Sequence, residues 1–364
     1  MLTTTTAWGE DRFRLTLGAH EYWDSNFARN ATVDSEHYTR SVVALAVNEH
    51  ISKQHFSFGV TGNRYDYEQR DDLDVSFYEG NASWRSDWNQ RAKSSLAWTR
   101  DAYAVDRLEF AGKDVVAVDN LTGQFTLGTG NNVGVTLGAS KVAQAHSNDA
   151  RELLDFDENE FFVEGTYTSA THSLLSLRLR QGKRGYVNTA RDNPSPLDFD
   201  YDQLELGGVW VLTQKTQVEF TLGRFKREGI INTGTGTQAS LDIGWAISEK
   251  LKLALSYSQS EPALGETSDS PADIRASKLM LTWVPAHKWL VGISAGYSEQ
   301  GYLPQLTEPA REENIITISP FTLTYHFSSL ASIHLDSQWV DRQSPLLYRD
   351  YHYLQANLGI TLVF

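Results

Sequence analysis

Three residues near the C-terminus have the types that a hydrolase triad uses. Ser332, His334 and Asp336 alternate along one predicted strand, so their side chains share one face of it. A triad needs its serine, histidine and carboxylate within hydrogen-bonding reach, together with an oxyanion hole. Residues two apart on a strand are separated by roughly 6.5 Å along the chain, which is too far for the direct relay. We therefore predict no catalytic residues here.

Other residues with metal-binding chemistry lack the required spacing. The remaining histidines form neither an HxxxH nor an HExxH pattern, and the chain has no cysteine. Carboxylates alternate in Asp198–Asp202, but this segment lacks the glycine and the terminal glutamate of an EF-hand loop. We predict neither a metal nor a cofactor. The 46 acidic and 32 basic residues give a net charge of −14, which argues against a nucleic-acid partner.

Apolar and polar residues alternate along the 364-residue chain with a period of two. In the last segment, Leu354, Leu358 and Ile360 belong to one face, whereas Gln355 and Asn357 belong to the other. This period indicates β-strands, and no convincing stretch has the i, i+3, i+4 spacing of a helix. No apolar run approaches the roughly 18 residues that a membrane-spanning helix needs.

The two faces of these strands differ from those of a soluble sandwich. The polar face carries small residues and isolated charges, and the apolar face usually ends in an aromatic residue. Trp210, Trp245, Trp283 and Trp289 all lie near one set of chain reversals. An apolar band bordered by aromatic girdles and backed by a polar interior is typical of a transmembrane β-barrel. The sequence therefore predicts an all-β, antiparallel, up-and-down barrel in a bacterial outer membrane, in contact with membrane lipid.

The chain reversals alternate between short and longer ones. They predict about 18 strands, with short periplasmic turns, longer extracellular loops and both termini on the short-turn side. Weak alternation at 37–47 and 112–122 leaves 16 strands as the alternative. The apolar face changes parity at Ser319-Pro320, which predicts a β-bulge there. We assign residues 11–364 to a single barrel domain and residues 1–10 to an N-terminal remnant.

A barrel of 16–18 strands leaves an aqueous lumen. The sequence offers no N-terminal plug and no connection long enough to fold inward, so we expect wall side chains to narrow the bore. Charges on the polar face then either border a path for a polar solute or pair to stiffen the wall. The predicted lining residues are Arg14, Glu79, Arg85, Glu164, Arg178, Arg180, Glu205, Asp242, Lys252, Lys278, His334 and Asp336.

Several tyrosines on the predicted lumenal face have two interpretations. Tyr22, Tyr65, Tyr67 and Tyr353 are candidates for stacking on sugar rings. They are equally suited to anchor the membrane interface, where aromatic side chains combine an apolar ring with a polar tip. Both interpretations remain open at this stage.

Short motifs along the chain are similar to those of one protein family. They are Arg12-Phe-Arg-Leu-Thr-Leu-Gly18, Tyr22-Trp-Asp-Ser-Asn-Phe27, Asn63-Arg-Tyr-Asp-Tyr67, Ser256-Tyr-Ser-Gln-Ser-Glu261 and Gly359-Ile-Thr-Leu-Val-Phe364. With them the chain resembles the exosortase-associated, EpsL-like outer-membrane barrels of exopolysaccharide secretion. The resemblance implies passage of a polysaccharide chain across the outer membrane. It also implies periplasmic or inner-membrane partners that synthesise and export the polysaccharide, and it implies no catalytic residues.

The sequence is therefore compatible with three functions. The first is an outer-membrane channel that exports an exopolysaccharide. The second is a passive porin for small sugars or ions, and the third is an outer-membrane enzyme. The first two differ in whether the lumen accepts a chain longer than the barrel is tall.

Overall fold

The computed structural model describes residues 12–30, 34–89, 91–128, 132–187, 195–304 and 309–364, and they form one antiparallel sheet of 18 strands. The predicted remnant, residues 1–10, lies outside this description. The strands are β1 (Phe13–Asp24), β2 (Glu36–Ile51), β3 (Gln54–Tyr67), β4 (Val75–Asn89), β5 (Ala92–Ala104), β6 (Val115–Leu127), β7 (Val133–His146), β8 (Phe156–Thr168), β9 (Leu174–Tyr186), β10 (Phe199–Thr213), β11 (Thr216–Gly229), β12 (Gly234–Ala246), β13 (Leu251–Ser260), β14 (Asp273–Trp283), β15 (Trp289–Tyr302), β16 (Arg311–His326), β17 (Ala331–Gln343) and β18 (Tyr351–Val363).

Each strand pairs with its neighbours in the chain, and β1 also pairs with β18. The sheet is therefore closed into an up-and-down barrel, which confirms the predicted fold and selects 18 strands over 16. Backbone bonds between Leu15 and Phe364, at 2.8 and 2.9 Å, join both ends of the described chain on the side of the short turns. Closure pairs the strand edges, which an open sheet would leave unpaired in lipid.

The two faces of the barrel follow the period of two. On β18, Leu358 and Ile360 point outward and are 54% and 51% exposed, although they are apolar. Trp210, Trp245 and Trp283 lie on the same outer surface near the short turns. Exposed apolar side chains around a whole sheet, bordered by tryptophan, form the surface that outer-membrane barrels present to lipid. No helix in the described ranges is long and apolar enough to cross a membrane.

The bulge predicted in β16 is present. Ser294 pairs with Ser319, but Gly292 pairs with Thr322, so β16 contains one more residue than its partner over this stretch. The inward face consequently changes from odd to even residues, and Phe321 points to the lipid side. Pro320 lies within the bulge, where its missing N–H does not interrupt the ladder.

Candidate functional site

The pairing register places all twelve predicted lining residues on the inner face of the barrel. Glu164 pairs with Arg178, which pairs with Glu205, and these side chains lie opposite the exposed leucines of β9. The same reasoning from each ladder gives the inward positions of Arg14, Glu79, Arg85, Arg180, Asp242, Lys252, Lys278, His334 and Asp336. An inward position makes a residue available to a solute, and whether it contacts one stays a prediction.

Charges in the middle of the β8–β10 wall form ion pairs between neighbouring strands. Arg178 contacts Glu164 at 2.5 Å, and Arg180 contacts Glu205 at 3.3 Å and Glu160 at 3.6 Å. All five side chains are at most 28% exposed. These pairs run along the wall rather than across the lumen, so they stiffen the sheet.

Charges in the short-turn half of the lumen are arranged differently. Arg14, Arg85, Asp242, Lys252 and Lys278 are exposed and make no ion pair within the described part of the chain. Both signs are represented among them. This half of the lumen therefore offers hydrated, unpaired charges to a polar solute and no ring of a single sign.

The Ser332 and His334 side chains are closer than the backbone spacing predicted. Ser332 Oγ lies 3.0 Å from His334 Nε2, which is within hydrogen-bonding reach, so the expectation that the two are too far apart is wrong. The error arises because side chains lean along a strand as well as away from it. His334 Nδ1 contacts Thr324 Oγ1 at 3.1 Å, while Asp336 accepts a hydrogen bond from Asn357. The carboxylate thus does not complete a relay.

The four predicted stacking tyrosines lie on the inner face towards the longer connections. Tyr22 stacks on Tyr38 with ring centroids 4.8 Å apart, and Tyr67 packs against Phe27 at 5.2 Å. The ring of Tyr353 is covered by Arg29, whose Cζ lies 3.6 Å from the ring centroid. Tyr65 stacks on Phe77. Each of the four rings therefore has a protein side chain against it, and contact with a sugar stays a prediction.

The extracellular tip of the β5–β6 hairpin, residues 100–119, leaves the barrel wall and folds into the lumen. We call it the lumenal hairpin. Pairing between β4 and β5 ends at Gly80 and Arg100, whereas β5 and β6 remain paired up to Ala104 and Val115. Beyond that point, Ala102, Ala104, Val115 and Ala117, which belong to the outer face of the hairpin, pack against Val75, Tyr65 and Phe77 on the inner face of β3 and β4.

Two arginines anchor the lumenal hairpin. Arg29, in the β1–β2 connection, contacts Asp24 at 2.6 Å and Asp106 of the hairpin at 3.6 Å. Burial is the largest single effect and opposes ionisation of Arg29, but the hydrogen bond to Asp24 and the negative charges of Asp24 and Asp106 together outweigh it and raise the pKa of the guanidinium. Arg151, in the helical turn Asp149–Leu154 between β7 and β8, pairs with Glu109 and lies 3.5 Å from Asp114.

The β13–β14 connection, residues 261–272, also lies over the inner wall. Ala263 is buried against Phe156, Tyr186 and Phe199. Glu266 contacts Arg184 of β9 at 2.7 Å, four strands away around the barrel. This connection therefore narrows the lumen from the side of β8–β11.

The expectation that no connection folds inward is therefore wrong. It rested on loop length, but in the lumenal hairpin the strand ends themselves tilt away from the wall and add to the reach of residues 105–114. The available signal was the weak alternation at 112–122. Val115, Val116 and Ala117 are consecutive and all buried, as in strands that are covered on both faces.

Sequence reasoning also missed a charged cluster around Glu313 at the extracellular end of β16. Glu313 is fully buried and accepts hydrogen bonds from Arg311 at 2.9 Å, Arg342 at 2.7 Å and Arg349 at 2.8 Å. Asp269 of the β13–β14 connection pairs with Arg349 at 2.9 Å and with Arg311. The cluster therefore ties that connection to the wall. Within the described ranges, no three His, Cys, Asp or Glu side chains are grouped to hold a metal ion.

No protein-family model and no curated protein matches the chain. Several solved structures match it in fold. The outer membrane protein OpdK of Pseudomonas aeruginosa is similar with 9% identity and a TM-score of 0.53 over 97% of this chain and 98% of that chain. OccK9 (OpdG) of the same species has 9% identity and a TM-score of 0.56 over 97% of this chain and 98% of that chain. OccAB3 of Acinetobacter baumannii has 10% identity and a TM-score of 0.52 over 97% of this chain and 99% of that chain. The chain therefore has the closed-barrel fold of bacterial outer-membrane proteins, and the outer membrane is where it resides.

Proposed function

We propose that the barrel is a passive diffusion channel for small polar solutes. The observation that carries this proposal is the pair of inward segments, the lumenal hairpin and the β13–β14 connection. Ion pairs with largely buried arginines hold both segments in place, so that they narrow the extracellular half of the lumen. Exposed charges of both signs line the other half of the lumen. A narrow entrance above a hydrated wall suits solutes that pass one at a time.

The solved barrels of similar fold support small solutes, rather than polymers, as the substrates of this channel. OpdK was solved with vanillate and OccK2 (OpdF) with glucuronate, and both barrels share this fold at TM-scores of 0.53 and 0.54. Export of an exopolysaccharide, which the EpsL-like resemblance implies, is the alternative. It requires a chain to pass the two tethered segments, together with periplasmic or inner-membrane partners.

The test compares solutes of graded length. Purified barrel is inserted into planar bilayers and into liposomes, and conductance and liposome swelling are measured with saccharides from one to about eight units. We expect a stable open conductance and swelling rates that fall steeply with length, with protein-free liposomes as the control. Block by oligosaccharides that strengthens as they lengthen would favour the export channel, and absence of conductance would contradict both.

A further inference from the structure

Outward-facing charges lie at the extracellular border of the apolar band, and most are paired. Lys141 contacts Asp157 at 3.3 Å and Lys183 contacts Asp200 at 3.8 Å. Pairing keeps these groups neutral as a set. An unpaired charge on this outer surface is therefore notable, because it stands beside lipid without a partner from the protein.

Arg224 is such a charge. It faces outward on β11, makes no hydrogen bond or ion pair with any residue that the structure describes, and pairs in register with Leu204. Leu204 pairs in turn with Leu179, so the guanidinium extends from a row of apolar side chains. Lys226 faces the same way one row closer to the extracellular side and contacts Glu228.

These side chains border a shallow groove of about 610 Å³ on the outer wall. One part of the groove is apolar and is formed by Phe161, Val163, Leu179 and Leu204, of which Leu179 is 58% exposed. The other part contains Arg224 and Lys226, beside Asp202, whose carboxylate accepts a hydrogen bond from Gln181 at 3.2 Å. The groove is thus apolar on β8–β10 and carries its two cationic side chains on β11.

We propose that this groove binds a phosphorylated glycolipid of the outer leaflet. Arg224 holds the phosphate, because a guanidinium donates two parallel hydrogen bonds to phosphate oxygens. Lys226 adds charge, although its contact with Glu228 makes it the weaker partner. The acyl chains lie against Phe161, Leu179 and Leu204, whose exposed surface already faces lipid. This site is independent of what passes through the lumen.

The test is a titration of the detergent-solubilised barrel with bis-phosphorylated lipid A, followed by native mass spectrometry. Arg224→Ala should weaken binding about a hundredfold, the effect of losing two charge-assisted hydrogen bonds at about a factor of ten each. Arg224→Lys should restore part of it. Lys141→Ala is the matched control, because Lys141 also faces outward but lies outside the groove.

Two further lipids test whether the phosphate and the glycolipid core of lipid A are both needed for binding. Dephosphorylated lipid A should bind the natural barrel as weakly as lipid A binds Arg224→Ala. Phosphatidylglycerol, which has a phosphate but no glycolipid core, should bind less than lipid A. The proposal is overturned if Arg224→Ala binds lipid A as the natural protein does, or if either probe binds equally well. Heat-dependent migration of the folded barrel on gels checks that the variants are folded.

Discussion

Replacing Arg151 with alanine should release the lumenal hairpin from one of its two arginine anchors. The Arg151 side chain is 3% exposed and bridges Glu109 and Asp114, and the Asp114 side chain is fully buried. Removing one partner of a buried pair costs about 3–5 kcal/mol. Asp114 keeps hydrogen bonds from Ser147 at 3.2 Å and from the Asn148 amide at 3.1 Å. The lower end, about 3 kcal/mol, is therefore the appropriate magnitude.

Since about 1.4 kcal/mol corresponds to a factor of ten, this loss shifts the hairpin's equilibrium about 100-fold towards the released position. A hairpin that lies inward about 99% of the time would then be released about half of the time. We expect larger mean single-channel conductance and stronger current fluctuation. We also expect trypsin to cleave after Arg107, whose guanidinium in the natural protein donates to the Gly112 carbonyl at 2.8 Å.

Arg70→Ala is the control for this experiment. Arg70 pairs with Asp72 at 2.9 Å in the neighbouring β3–β4 connection, but both side chains are exposed, so this pair contributes little. Arg70→Ala should leave the current and the cleavage pattern unchanged. If Arg151→Ala also leaves conductance, fluctuation and cleavage at their natural values, the ion pairs of Arg151 do not hold the hairpin in the lumen.

Two further predictions concern other parts of the wall. Replacing Arg178 and Arg180 together with alanine leaves their carboxylate partners unpaired, so the reversal potential in a salt gradient should shift towards cation preference. Lys183→Ala on the outer face of the same strand should not shift it, and equal potentials for both would show that the arginines do not face the ion path. Glu313→Ala leaves three arginines around an empty site and should lower stability by about 3–5 kcal/mol, measured as the urea midpoint. The exposed, outward neighbour Glu312→Ala should stay within error of the natural protein, and a similar midpoint for both variants would contradict the cluster's role.

The fold could be predicted from the sequence because one periodicity determines it. Alternation assigns each residue to a face, and a one-residue change of phase, as at Ser319-Pro320, is visible without coordinates. Strand number followed from the reversals. The inward positions of residues such as Arg178 and Asp242 needed no knowledge of their partners.

The lumenal hairpin and the Glu313 cluster could not be predicted in the same way. Both depend on side-chain contacts among strand ends and extracellular connections, and alternation carries no information about which of these segments meet. The Ser332–His334 contact illustrates a smaller failure of the same kind. Backbone spacing gives the distance between Cα atoms, whereas the hydrogen bond depends on the direction in which each side chain leans.

The point where β4 and β5 separate indicates where the hydrocarbon layer of the membrane ends. Beyond Gly80 and Arg100, these two strands no longer exchange backbone hydrogen bonds, so N–H and C=O groups along both edges depend on water. Hydrocarbon supplies no such partner, and an unpaired backbone group there costs several kcal/mol. The hydrocarbon boundary on this side of the barrel must therefore lie at or below the level of Gly80 and Arg100. The level at which strand pairing ends therefore sets an upper limit for the hydrocarbon boundary on this side of the barrel.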